Sequence, residues 1–135
     1  MKKSGSLLIP EEWKKVARKD WDRVIRNLRD EDIEAAGFFL QQSLEKYLKA
    51  FLLSHGWKLR KIHALHDLLN DAVNYNPALE EFRKLCEKVT GYYLVDRYPL
   101  FTSLDLTYED IEKDLEYARK FINTMFSDEK LSGKK

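Results

Sequence analysis

The sequence predicts an all-α protein, an antiparallel up-and-down helical bundle of four main helices plus one short helix. Two observations carry that expectation. Apolar side chains recur at helical spacing in every long segment between chain breakers, and no segment shows the strict alternation of a half-buried strand. The length of 135 residues adds a third. It suffices for one helical core and is too short for two.

Residues 1–9 are expected to be disordered, with the bundle over 10–127 and a polar tail over 128–135. Pro10 suits a first helical position, and Glu11 and Glu12 favour the positive end of a helix dipole. Trp13, Ala17, Trp21, Val24 and Leu28 then share a stripe that ends near Leu28. In the polar joint from Arg29 to Asp32, either Asp30 or Asp32 is placed to cap the next helix. That second helix carries Leu40, Leu44, Tyr47, Leu48 and Phe51 on one stripe, with Gln41, Gln42, Glu45, Lys46 and Lys49 on its flanks. Glu45 and Lys49 stand four apart in the favourable orientation. His55 and Gly56 read as its stop after Ser54.

Trp57 to Leu65 reads as a loop bearing Lys58, Arg60 and Lys61, and a short helix is predicted from His66 to Asn74. Asn76 and Pro77 form a fresh cap and first position. The third main helix is predicted over 77–96, with Leu79, Phe82, Cys86, Val89 and Tyr93 inward. Gly91 weakens it and allows close packing or a bend, and Pro99 ends it. Thr107 and Asp110 resemble a capping box. The fourth helix follows to Phe126, with Ile111, Leu115, Ala118, Ile122 and Met125 on the core face.

Composition excludes several classes. Lys and Arg number 24 against 23 Asp and Glu, so bulk electrostatics do not attract nucleic acid and any such contact needs a local patch. No apolar run approaches the roughly 20 residues that span a bilayer, and the start is too short in apolar residues for a signal peptide. A cytoplasmic location is expected. One cysteine, Cys86, excludes an intrachain disulfide and a cysteine-based zinc site, and its place on an apolar stripe marks a small buried hydrophobe. No metal site or cofactor is expected.

Several polar groups stand where a bundle core does not require them. Arg97 offers a planar fork for phosphate or carboxylate; alternatively it locks two helices together through an ion pair with an acid such as Glu45. His66, at a helix start, is suited to contact phosphate or transfer a proton; alternatively it hydrogen-bonds the preceding loop. Asp67 is equally suited to being a simple first-turn acid. His63 is expected on the loop surface. Lys46, Lys49, Arg60 and Lys61 would add positive charge, and Tyr93 and Tyr98 could stack on a base, although the spacing of Tyr93 also fits the core.

Three fragments, in order, resemble a known family. Gln41 to Ala50 matches a Gln-Gln-Ala/Ser-x-Glu-Lys-x-x-Lys-Ala helix. His66-Asp67-Leu68 matches a Thr-His-Asp-Leu element, with Leu65 where Thr is usual. Tyr93 with Arg97-Tyr98-Pro99 matches Tyr-x-x-x-Arg-Tyr-Pro. This set is similar to the HEPN family (higher eukaryotes and prokaryotes nucleotide-binding), and Trp13, Ala17 and Asp20 fit the family's opening helix. The resemblance implies a nucleotide- or polynucleotide-binding module using Lys46, Lys49, His66, Asp67, Tyr93, Arg97 and Tyr98. It implies a companion of a minimal nucleotidyltransferase in a toxin–antitoxin-like pair, and a homodimer. RNA-cutting relatives resemble one another in a histidine that follows the arginine after four to six intervening residues. Here Thr102, Ser103 and Leu104 stand there, so the chain alone is not expected to be catalytic. The alternatives are a metal-independent ribonuclease using His66 and Arg97, and a ligand-free dimerisation or adaptor domain.

Overall fold

The computed structural model describes residues 9–93 and 106–133. The expectations for residues 1–8 and for Pro99 as a terminator lie outside the described residues. Within them every regular element is helical: α1 (Pro10–Arg29), α2 (Ile33–Ser54), α3 (Leu65–Ala72), a 3-10 segment (Pro77–Phe82), α4 (Arg83–Thr90) and α5 (Tyr108–Met125).

Local chemistry sets the boundaries. Pro10 opens α1, and Asp32 rather than Asp30 caps α2, accepting from the Ala35 amide at 3.3 Å. Glu31 takes up a positive φ of 61° in the joint, a conformation few side chains favour. Gly56, with φ of 87°, turns the chain after α2, as glycine does at low steric cost. Thr107 and Asp110 make both bonds of a capping box, each at 3.1 Å.

The short joint makes α1 and α2 a hairpin. Arg23 lies over Phe39 near the turn and Lys49 over Trp13 far from it, so the two helices run antiparallel. Trp21, Val24, Leu40, Leu44, Leu48, Ile111, Phe121 and Ile122 are among the fully buried side chains. Phe82 stacks on Phe121 with ring centroids 4.9 Å apart, tying the 3-10 segment to α5. Cys86 is buried in this core, and burial pushes its thiol up to about 12.

Three expectations need correction. The predicted helix over 77–96 is divided: its first turns are 3-10, α4 ends at Thr90, and Gly91 is its C-cap. Helix resumes at Tyr92 and Tyr93, and Gly91 itself keeps right-handed helical angles, with φ of −69° and ψ of −20°. Tyr92, on the same stripe as the buried Leu85 and Val89, enters the core rather than Tyr93, and its hydroxyl donates to the buried Asp114 at 2.5 Å. Burial, then that bond, raises the Tyr92 phenol well above its ordinary range.

The second concerns the flanks of α2. Gln41, Glu45 and Lys49 are 2%, 5% and 4% exposed, because α2 is covered on several sides and its polar face meets the loop before α3. The third concerns the end of the chain. Residues 128–133 are polar in composition, yet Glu129 is buried against α1 and α2, and the Ser132 carbonyl accepts from the Trp21 indole at 3.1 Å and from Arg119 at 2.9 Å. This C-terminal segment is a strap across the helices.

Gly37 permits the close approach of α2 to Tyr92. A Cβ there would lie 3.2 Å from the Tyr92 Cβ and Cγ, and Asp114 keeps Tyr92 from yielding. Gly37→Ala gains about 1 kcal/mol of helix propensity but meets an overpacking cost of about 1–3 kcal/mol. We expect a net loss of about 1 kcal/mol, read as a lower urea midpoint with unchanged slope; a higher midpoint would show that the contact is soft.

Candidate functional site

One face of α2 borders a cleft of about 630 Å³, within the range of small-ligand sites. Trp13 from α1 forms one side, and Gln41, Gln42, Glu45, Lys46 and Lys49 form the α2 wall. His63 and Ala64 of the loop, Thr90 of α4 and Tyr93 complete it. The wall exists because residues 41, 45 and 49 recur every four positions, stacking three polar side chains on one side of the helix.

A hydrogen-bond chain orders this wall. Gln41 Nε2 donates to Glu45 Oε1 and to the His63 carbonyl, both at 3.1 Å. Those partners only accept, so the Gln41 amide has one satisfactory orientation and its oxygen faces Gln42. Gln42 Nε2 donates to that oxygen at 2.7 Å. The Gln42 carbonyl makes no hydrogen bond among the described residues and remains an acceptor on the cleft wall.

The charges are paired in depth. Lys49 Nζ donates to Glu45 Oε2 at 2.9 Å, and His63 Nδ1 meets the same oxygen at 2.9 Å. Lys46 Nζ donates to the buried Asp20 at 2.6 Å, while Arg23 holds the other Asp20 oxygen at 2.6 Å. Thr90 Oγ1 accepts from the Leu65 amide at 3.0 Å, fixing the start of α3 beside the cleft. Phe38 stacks on Tyr93 at 5.8 Å and helps to position its ring. The result is a wall of nearly balanced charge with aromatic groups beside it, suited to a planar ring that carries polar edges and an anionic group.

The residues expected to act together divide as follows. Lys46, Lys49 and Tyr93 line the cleft. His66 and Asp67 do not; His66 Nε2 lies 3.8 Å from Asp67 Oδ1, and its buried Nδ1 has no hydrogen-bond partner among the described residues. Arg97 and Tyr98 lie outside the described residues. Arg60 pairs with Asp71 at 3.5 Å on the surface, and neither it nor Lys61 lines the cleft. The histidine at the cleft is His63, exposed as expected for loop surface but bonded to Glu45. Its signal in the sequence was only a position three residues before His66, and nothing in the spacing pointed to Glu45. Trp13, assigned to the core stripe of α1, is half-buried and lines the cleft instead. Among the described residues no group of three or more His, Cys, Asp or Glu side chains could hold a metal ion. No helix among them is long and apolar enough to cross a membrane.

The family model of the HEPN domain matches residues 10–130. The chain belongs to the HEPN family. No curated protein and no solved structure matches it. In this HEPN domain the motif helix Gln41 to Ala50 supplies the longest wall of the cleft, and the Tyr93 that opens the third motif stands on its rim. The buried Glu45–Lys49 pair explains two charged positions of the motif helix as one structural unit.

Proposed function

We propose that this HEPN domain is a nucleotide- or polynucleotide-binding module whose ligand occupies the cleft. One observation carries the reading: Trp13 and Tyr93 border the same space as Lys46 and the open edge of Gln42. Aromatic faces accept any base by stacking, worth about 1–3 kcal/mol per base. A lysine supplies the point charge that a phosphate needs. Extending the reading, the bundle is of the up-and-down antiparallel type and works as a cytoplasmic homodimer. Its companion is a minimal nucleotidyltransferase, in a toxin–antitoxin-like pair, which supplies the metal and the chemistry. The missing histidine after Arg97 favours this division of labour over a free-standing ribonuclease.

Binding of a panel of mononucleotides and short RNAs, followed by Trp fluorescence and calorimetry, tests the cleft. Lys46→Ala and Tyr93→Ala should each weaken binding about tenfold or more, as expected for losing a charge-assisted bond or a stacking face. Arg97→Ala belongs in the same series. Binding indifferent to both cleft substitutions would place the ligand elsewhere.

A further inference from the structure

Among the described residues, His63 is the one titratable group of the cleft that lies on a loop and is largely exposed. Its side chain is 74% exposed although two bonds anchor the residue: the carbonyl accepts from Gln41 Nε2 and the ring meets Glu45 through Nδ1. The carboxylate oxygen also holds Lys49, so it acts as an acceptor. Nδ1 must therefore carry the proton, and in the neutral ring Nε2 is bare. A neutral His63 offers a phosphate only a lone pair, which repels it. A protonated His63 offers a charged donor at the same point, with Glu45 already in place to stabilise the imidazolium.

We infer that His63 is a second phosphate contact of the cleft beside Lys46, and that a phosphate-bearing ligand is taken up together with a proton on Nε2. This rests on the nucleotide reading of the cleft and adds the position of the phosphate and a pH dependence to it. The groups sharing the cleft with His63 are Glu45, Lys46 and Lys49 from α2 and Tyr93 after α4, while α1 contributes the uncharged Trp13. Lysine, glutamate and tyrosine side chains ordinarily keep one charge state between about pH 5.5 and 8, where histidine changes. Lys49 is held in the buried pair with Glu45 and Lys46 brings a fixed charge paired with Asp20, so among the described residues the positive charge added at the mouth comes from His63.

Dinucleoside monophosphates make the appropriate probe, because a phosphodiester keeps a single charge across this range. The matching nucleosides are the control. Calorimetry on the native chain should show dinucleotide affinity rising about tenfold from pH 8 to pH 5.5, with net proton uptake visible when buffers of different ionisation enthalpy are compared. In His63→Gln the affinity should stay at its pH 8 level and proton uptake should vanish. Nucleoside binding should be flat with pH in both proteins. The exposed ring can be replaced without opening the core, and circular dichroism at both pH values checks the fold. Dinucleotide binding that is equally tight at both pH values, or a pH dependence surviving in His63→Gln, would overturn the assignment of the phosphate to His63 while leaving the cleft reading intact. If neither nucleosides nor dinucleotides bind, the cleft reading fails and this inference with it.

Discussion

Glu129→Ala is expected to destabilise the protein by about 3 kcal/mol, the lower end of the range for breaking a buried pair. Glu129 accepts from Arg18 through both oxygens, at 2.8 and 3.2 Å, and from the Tyr47 hydroxyl at 2.6 Å. Lys14 approaches to 3.7 Å. Arg18 is 42% exposed and can rehydrate after the substitution, whereas the Tyr47 hydroxyl is sealed in the core. Tyr47→Phe should cost only about 1 kcal/mol, since Glu129 keeps its arginine. Urea unfolding at pH 7 checks both values, and equal losses would mean that the carboxylate acts through Tyr47 alone.

The same residue sets a pH dependence. Burial pushes the Glu129 carboxyl up, but hydrogen bonds from Arg18 and Tyr47 and the nearby positive charges outweigh it, leaving the group below its ordinary value of 4.5. A depressed folded-state value means the unfolded chain binds the proton more readily. The stabilisation is complete above about pH 4.5 and disappears as the pH falls through the lower folded-state value. The acid limb of the stability curve should flatten in Glu129→Gln.

Lys49→Ala and Lys46→Ala should have opposite profiles. Removing Lys49 leaves the buried Glu45 carboxylate with Gln41 and His63 only, an expected cost of about 3 kcal/mol. Removing Lys46 leaves Asp20 with Arg23, and its cost should be about 1 kcal/mol or less. Ligand binding should invert the order, because Lys46 is the less buried of the two and can turn toward a phosphate. Equal stability losses in the two variants would show that burial does not distinguish the lysines.

The helices were legible because each presents a long apolar stripe. Trp21, Val24 and Leu28 on α1, Leu40, Leu44 and Leu48 on α2, and Ile111, Leu115 and Ile122 on α5 all fall in the core as read. The caps were legible for the same local reason, at Asp32, Asn76 and Thr107. What escaped reading depends on tertiary neighbours. Glu45 and Lys49 look like a solvated pair in sequence, and only the covering of α2 by the loop at His63 buries them. Gly91 gave warning of a weak point, but the stripe of Leu79, Phe82, Cys86 and Val89 fits either Tyr92 or Tyr93 as the next inward residue, and packing against Asp114 selects Tyr92. The cleft itself was half legible: Lys46, Lys49 and Tyr93 were named as candidate binding residues, whereas Trp13 and Gln42 were motif positions with no binding role and His63 was read as loop surface.

The strap joins residues separated by 111 positions when Glu129 meets Arg18. The α1–α2 hairpin needs only a short joint to close, so its contacts form at small entropic cost and early. Docking of residues 129–132 on α1 requires nearly the whole chain to be in place, which puts it after the folding barrier. Contacts made that late influence how fast the native state is lost more than how fast it is reached. The strap therefore acts as a kinetic latch: substitution of Glu129 should raise the unfolding rate and leave the refolding limb nearly unmoved.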